Sequence, residues 1–267
     1  MMIYPPTRLP LAVSHSPTDS KRRFSDRVEN YVRYRPSYPE AVLDLLSEEI
    51  GLTGDAAIAD VGSGTGISAE LFLRNGNPVF AVEPNPDMRQ AAETLLQDYP
   101  KFRSISGSAE DTTLPDQSVD YIVVGHAFHW FNPQKTKQEF ARILQPEGWV
   151  ILMWNSLRKK STPFLQAYEA LLQQYGTDYT TIQHIDSNNL EAFFTESKPY
   201  TRMLSSEQRF NLAGLQGRTF SSSFTPNTGH PNHAPMVHAL KQLFEQYQEH
   251  NEVCFEYDLK IFFGHVA

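Results

Sequence analysis

A doubly wound α/β sheet is the fold this 267-residue sequence predicts, on three observations. Short apolar runs alternate with amphipathic stretches from Ser37 to Trp154. A glycine cluster, Gly62, Gly64 and Gly66, falls where the first apolar run gives way to a helix-like stretch. The run 149–154 is almost wholly apolar, as strands covered on both faces tend to be.

Taken in order, Val42, Leu45, Leu46 and Ile50 share one helical face, and Pro39 suits a first turn. Residues 56–61 form a short buried strand ending in glycines. A helix over 67–75 follows, with Gly76 placed to end it in a left-handed cap. Residues 78–83 make the second strand. Asn85 is a good N-cap, Pro86 suits the first helical position, and Met88, Ala91, Ala92, Leu95 and Leu96 form an apolar stripe. Strands at 102–106 and 119–125 come next. Asn132-Pro133 opens a helix through Phe140, Ile143 and Leu144, stopped by Pro146 and Gly148, and the fifth strand is 149–154.

After about Ser161 the pattern changes. Residues 164–175 read as a helix, 182–194 as polar and irregular, and 200–210 as a strand by alternation. The stretch 214–238, rich in Ser, Gly, Pro, Asn and His, reads as loop. A helix over 236–248 and a strand over 253–263 finish the chain. The expected organisation is a flexible leader over 1–25, an α/β core over 26–160, and a part over 161–267 that completes the sheet and forms a lid on the acceptor side.

Bulk properties narrow the partners. The formal net charge is −8, which repels phosphate backbones and disfavours nucleic acid. Lys21-Arg22-Arg23 is a short basic cluster that reads as a solvated surface. The single cysteine, Cys254, cannot form an internal disulfide, and no Cys/His set has zinc spacing. No secretory leader or membrane-length apolar run is present, so a cytoplasmic location and no membrane partner are expected. The sequence leaves the oligomeric state undetermined.

The chemistry centres on Asp60-Val-Gly62-Ser63-Gly64-Thr-Gly66. Glycines there allow a sharp turn and let a ligand lie against bare backbone, beyond the carboxyl end of a strand. A dinucleotide fingerprint of the G-x-G-x-x-G kind needs glycine at position 67, which is Ile67. A phosphate-binding P-loop needs a Gly-Lys-Ser/Thr that is absent. The early third glycine and the preceding Asp60 favour S-adenosylmethionine (SAM) over a pyrophosphate. Glu83, ending the second strand, suits the two ribose hydroxyls, a role that fits SAM and NAD alike. Ser108, Ala109 and Glu110 follow the third strand and suit an adenine edge, or an ordinary turn.

These pieces, with Pro84, Asp120-Tyr-Ile-Val and Arg142-Ile-Leu-Gln-Pro-Glu-Gly148, resemble the class I SAM-dependent methyltransferases of the small-molecule type 11 branch. Tyr34-Arg35-Pro36-Ser-Tyr38-Pro39 and Ala127-Phe-His129-Trp130-Phe131 look like the trans-aconitate methyltransferase-like members. The resemblance covers residues 25–155 well and the last third loosely. Where relatives carry Pro-Gly-Gly before the fifth strand, this chain has Pro146-Glu147-Gly148. The resemblance implies a Rossmann-like seven-stranded sheet, mostly parallel with an antiparallel last strand. It also implies SAM held by Asp60, Gly62, Ser63, Gly64, Gly66, Glu83, Pro84, Met88, Ser108, Ala109, Glu110 and His126. Tyr34 and Arg35 would close over the methionine carboxylate; Arg35 reads equally as a surface charge in an extended segment before proline.

On the acceptor side, His126-Ala-Phe-His129-Trp130-Phe131 follows the fourth strand and is expected to project into the cleft. A carboxylate acceptor needs no base, whereas a hydroxyl or amine would use His129, whose ordinary pKa is near neutral. His129 as a packing residue is the alternative. No metal site is expected, His230, His233 and His238 included. The expected function is methyl transfer from SAM to a small-molecule acceptor. A catalytically silent SAM-binding protein and, less favoured by the glycine spacing, an NAD-dependent oxidoreductase are the competing readings.

Overall fold

The computed structural model describes residues 33–177, 179, 193, 194 and 198–266. The first helix described in full, α1, is Ala41–Ile50, closed by Gly51 in the left-handed region with Gly51 N–H on Ser47 O and Leu52 N–H on Leu46 O. Strand and helix then alternate as β1 (Ile58–Val61), α2 (Ile67–Arg74), β2 (Val79–Val82), α3 (Pro86–Leu95), β3 (Phe102–Ile105), β4 (Val119–Gly125), α4 (Pro133–Ile143) and β5 (Leu144–Leu157). The last third supplies α5 (Pro163–Tyr175), β6 (Tyr200–Phe210), α6 (Leu212–Phe220), α7 (His233–Tyr247) and β7 (Val253–Gly264).

The seven strands form one sheet in the order β3-β2-β1-β4-β5-β7-β6. β1 through β5 pair in parallel, and β7 runs antiparallel to both β5 and β6. The fold class expected from the sequence is therefore the one observed.

Period-two alternation along the strands feeds two cores. Ile58, Tyr121, Val123, Ile151 and Met153 face one layer, with Val42, Leu46 and Phe72 from α1 and α2. Ala59, Val61, Ile122, Val124, Val150 and Leu152 face the other, with Phe140 and Ile143 of α4. A third cluster joins α5, α6 and α7 around Leu165, Leu215, Leu240 and Phe255.

The caps act as expected: the Asn85 side chain accepts from Asp87 N and Met88 N, and that of Asn132 from Lys135 N. Three readings change. Leu95 is 48% exposed while Leu96 is buried, because consecutive helical residues diverge by about 100°. β5 begins at Leu144 instead of 149: Leu144 pairs with Val119, and the ladder breaks and resumes at Trp149 across Glu147, whose φ is 63°. The third correction is the stretch 214–238, most of which is not loop. α6 runs to Phe220 and α7 starts at His233. Its glycines serve close packing: a Cβ on Gly214 would lie 2.8 Å from the Phe210 ring, and one on Gly217 would lie 2.0 Å from that of Tyr34. Residues 182–192 and 1–32, which include the leader expected over 1–25, lie outside the described residues.

Candidate active site

The carboxyl ends of β1, β4 and β5 meet around a cleft of about 500 Å³, counted out to its open mouth. Its floor comes from the β1–α2 turn, through Gly62, Ser63, Ile67 and Ser68. Gly125 and His126 of the β4 end and Asn155 of β5 form one wall; Arg35, Pro36 and Tyr38 form another, and Arg218 reaches in from α6.

Gly62, Gly64 and Gly66 all have positive φ, at 71°, 56° and 88°. Two of them are also packed shut. A Cβ on Gly62 would sit 2.5 Å from Ala127 Cβ, and one on Gly66 would sit 2.5 Å from Leu96 Cδ1. Gly64 has open space on its Cβ side, the side on which a ligand has room. The turn is fastened to the next strand, because Gly62 N and Ser63 N both donate to Val82 O.

Beneath the turn lies Asp60, fully buried. Its Oδ2 accepts from Ser68 Oγ at 2.7 Å, and its Oδ1 has no hydrogen-bond partner. Burial pushes its pKa up to about 7, against the opposing pull of the Ser68 hydroxyl and the Ala69 backbone N–H. Ser63 Oγ is also buried without a partner. Ser63 lines the cleft and Asp60 lies buried beneath it, and each keeps one polar atom without a hydrogen-bond partner.

Glu83 closes β2 and binds the glycine loop directly. Its Oε2 accepts from Gly64 N at 3.0 Å and its Oε1 from Asn85 N at 2.8 Å. Pro84 leads into the α3 cap, and Met88 beyond it is buried. The 108–111 segment is a tight turn, with Ser108 N on Asp111 O and Asp111 N on Ser108 O. Ala109 is buried in it, while Glu110 Oε1 accepts from Asn132 N at 2.8 Å, tying this turn to the α4 cap.

On the opposite wall, His126 has φ 59° and Nε2 that accepts from Asn155 N at 2.7 Å. A ring nitrogen that accepts a backbone N–H is unprotonated, so the neutral ring carries its proton on Nδ1. Burial, with the charges of Arg35, His129 and Arg218 adding to it, pulls the His126 pKa down to about 3. Asn155 is 8% exposed as a residue, and its buried carboxamide has a hydrogen-bond partner at neither Oδ1 nor Nδ2.

Arg35 Nη2 donates to Ser221 O at 3.2 Å, and the Tyr34 ring packs edge-on to Phe210, so the segment before α1 is seated on α6. Arg218 is buried; its Nε donates to Tyr257 Oη at 3.1 Å and its Nη1 to Ser222 Oγ at 3.3 Å. His129, in the short 3₁₀ turn Phe128–Trp130, is exposed and outside the cleft wall. Its ring packs 5.3 Å from Trp154, as does that of His126. His233 sits against Phe220. Among the described residues no group of three or more His, Cys, Asp or Glu comes together as a metal site, and no helix is long and apolar enough to cross a membrane.

Seven lining residues have no site role in the sequence reading: Pro36, Tyr38, Ile67, Ser68, Gly125, Asn155 and Arg218. Asn155 left a signal, a lone amide ending an apolar strand. Arg218 left none, since only the tertiary fold brings α6 here.

Comparison with known proteins agrees with this geometry. Residues 59–152 match the family model described as a methyltransferase domain. An uncharacterized methyltransferase of Mycobacterium bovis is 35% identical over 138 residues, 52% of this chain and 54% of the relative. An uncharacterized methyltransferase-like protein of Schizosaccharomyces pombe is 28% identical over 158 residues, 59% of this chain and 60% of the relative. The matched stretch thus spans little more than half of these relatives. A solved structure from Anaeromyxobacter dehalogenans, provisionally named a type II methyltransferase, superposes with TM-score 0.67 at 21% identity, covering 87% of this chain and 98% of that one. Another from Anabaena variabilis, provisionally named a methyltransferase of an antibiotic biosynthesis pathway, gives 0.56 at 21% identity over 83% and 96%. Residues 59–152 are similar to a methyltransferase domain, and the fold is the Rossmann-like fold of methyltransferases.

Proposed function

We propose that this protein is a SAM-dependent methyltransferase that passes the methyl group to a small-molecule oxygen acceptor, a carboxylate or a hydroxyl. The observation that carries the reading is the orphaned Oδ1 of buried Asp60, directly beneath the glycine turn that Glu83 fastens.

In this reading Asp60, Ser63 and the turn backbone hold the methionine end of the donor, with Tyr34 and Arg35 closing over it. Glu83 holds the ribose, and Pro84, Met88, Ser108, Ala109 and Glu110 surround the adenine. SAM supplies a methyl group already activated by its positive sulfur. The chain's own work is then to orient the acceptor in line and exclude water, which positioning can make worth several kcal/mol. His126 lines this space as a neutral hydrogen-bond donor. A carboxylate acceptor needs no base; for a hydroxyl, His129 at the rim is the base we assign. The net charge of −8 supports a small-molecule acceptor over nucleic acid, and the lone cysteine fits a reducing, cytoplasmic setting.

Calorimetry with S-adenosylhomocysteine tests the reading. We expect micromolar binding and no comparable binding of NAD; absence of the first would end the proposal. Labelled SAM with small acids, phenols and amines then separates turnover from silent binding.

A further inference from the structure

Asn155 is unusual among the buried polar residues. It lies near the end of β5 at the wall of the cleft, with the residue 8% exposed and neither the oxygen nor the nitrogen of its amide bonded within the protein. A buried amide left so costs stability, and such groups persist where something else satisfies them. The two amide atoms can be exchanged by a flip without altering this, because both are unpartnered.

What the occupant must offer follows from the surrounding groups. One atom of the amide donates and the other accepts, so the occupant needs both an acceptor and an O–H or N–H of its own. Beside it, His126 presents Nδ1–H, because its Nε2 is occupied by Asn155 N. Arg35 on the facing wall and Arg218 from α6 add two positive charges to the same cleft, so donors and cations outnumber acceptors. Such a seat suits an anion that also carries a donor.

We propose that Asn155, with His126 and Arg218, is a specificity-determining seat for the methyl acceptor, and that the acceptor is a small carboxylic acid bearing its own hydroxyl or amino group. The acid oxygens face the guanidinium, the His126 Nδ1–H and the amide N–H, and the acceptor's O–H or N–H meets the amide oxygen. This rests on the proposed function, since it presupposes a donor-binding half of the cleft. The rival occupant is the methionine end of the donor, itself an amino acid.

Calorimetry on the full chain separates these. With S-adenosylhomocysteine saturating, L-malate should bind about 3- to 10-fold more tightly than succinate, which lacks only the hydroxyl, the range one hydrogen bond supplies. L-Aspartate should share that preference. In Asn155→Leu the preference should vanish, while affinities for S-adenosylhomocysteine and for methylthioadenosine, which lacks the amino-acid end, stay unchanged. If Asn155→Leu does not fold, Asn155→Asp serves: its charge should weaken all three acids and spare both nucleosides. Equal binding of malate and succinate, or binding of neither, overturns the proposal. So does a tenfold loss of S-adenosylhomocysteine affinity in the variant with methylthioadenosine unaffected. Failure of the wild type to bind S-adenosylhomocysteine would instead overturn the methyltransferase reading.

Discussion

The backbone N–H of Asn155 donates to Nε2 of His126, and this imidazole closes the last rung between β4 and β5. The ladder runs regularly to Gly125 paired with Met153, and His126 N still donates to Met153 O. At φ 59° the chain then turns away, so the ring nitrogen takes the place of the next backbone carbonyl. One contact thereby fixes the tautomer of His126 and the place where the Asn155 amide meets the cleft.

His126 should make the fold acid-sensitive. Its folded pKa of about 3 lies below the ordinary 6.5, so between those values the unfolded chain binds a proton that the folded chain does not. Stability therefore falls as pH drops from about 6.5 toward 3. Asn tolerates positive φ and offers a carbonyl to the Asn155 N–H. His126→Asn should lose roughly 1–2 kcal/mol less than wild type between pH 7.5 and 4.5, a figure reduced for the ring's partial access to water. Urea midpoints at the two pH values check this; parallel losses would contradict it.

Asp60 has the opposite sign. Its folded pKa of about 7 lies above the ordinary 3.8, so the folded chain binds the extra proton and stability is lost as pH rises through that window. Asp60→Asn should therefore stabilise the ligand-free protein, by more at pH 8 than at pH 5, while binding of S-adenosylhomocysteine weakens about tenfold or more. Denaturation series at both pH values, with calorimetry alongside, test the trade. An advantage that shrinks as pH rises would refute the account.

The three loop glycines should separate packing from ligand approach. Gly62→Ala meets Ala127 Cβ and carries positive-φ strain, so a loss of about 2–3 kcal/mol is expected. Gly64→Ala has open space and should lose only about 1 kcal/mol, from φ alone. Its effect on S-adenosylhomocysteine affinity should nonetheless be large, because the added methyl occupies the open side. Equal stability losses, or unchanged affinity for Gly64→Ala, would sink this division.

The core half of the chain was legible because each element carries local marks: Asn85 and Asn132 as caps, strand runs of period two, and glycines at one turn. In the last third α5, β6, α7 and β7 are legible in the same way, but α6 is not. Gly214 and Gly217 look like helix breakers in sequence, yet they let Phe210 and Tyr34 pack against α6. Arg218 enters the cleft only because α6 folds back over β7, with its guanidinium on the ring faces of Phe255 and Tyr257. His129 reads as cleft-facing in the sequence because it follows the end of β4. The 3₁₀ turn instead leaves that ring exposed, and His126 is the one in the wall.

Glu83 couples ligand to loop. Its carboxylate takes Gly64 N–H and Asn85 N–H, so a bound ribose joins groups that are already organised. Glu83→Gln turns one acceptor oxygen into a donor facing a backbone N–H. S-Adenosylhomocysteine affinity should fall about tenfold or more, near 1.4–3 kcal/mol, the range for hydrogen bonds to charged groups. Calorimetry reads this directly, and an unchanged affinity would place the ribose elsewhere.

Gly217→Ala probes whether the segment before α1 is a working part of the site. A mid-helix Gly→Ala change alone should stabilise α6 by about 0.5–1 kcal/mol. Here the new Cβ would lie 2.0–2.6 Å from the Tyr34 ring, so overpacking of about 1–3 kcal/mol opposes that gain. Tyr34 must then move, and with it Arg35, whose guanidinium reaches both Ser221 O and the cleft. We expect a net loss of stability and weaker S-adenosylhomocysteine binding. Adding Tyr34→Ala to Gly217→Ala should restore the stability but not the binding, because the ring is gone along with the clash. If the double variant recovers both, Tyr34 only fills space; if it recovers neither, the damage lies within α6 itself.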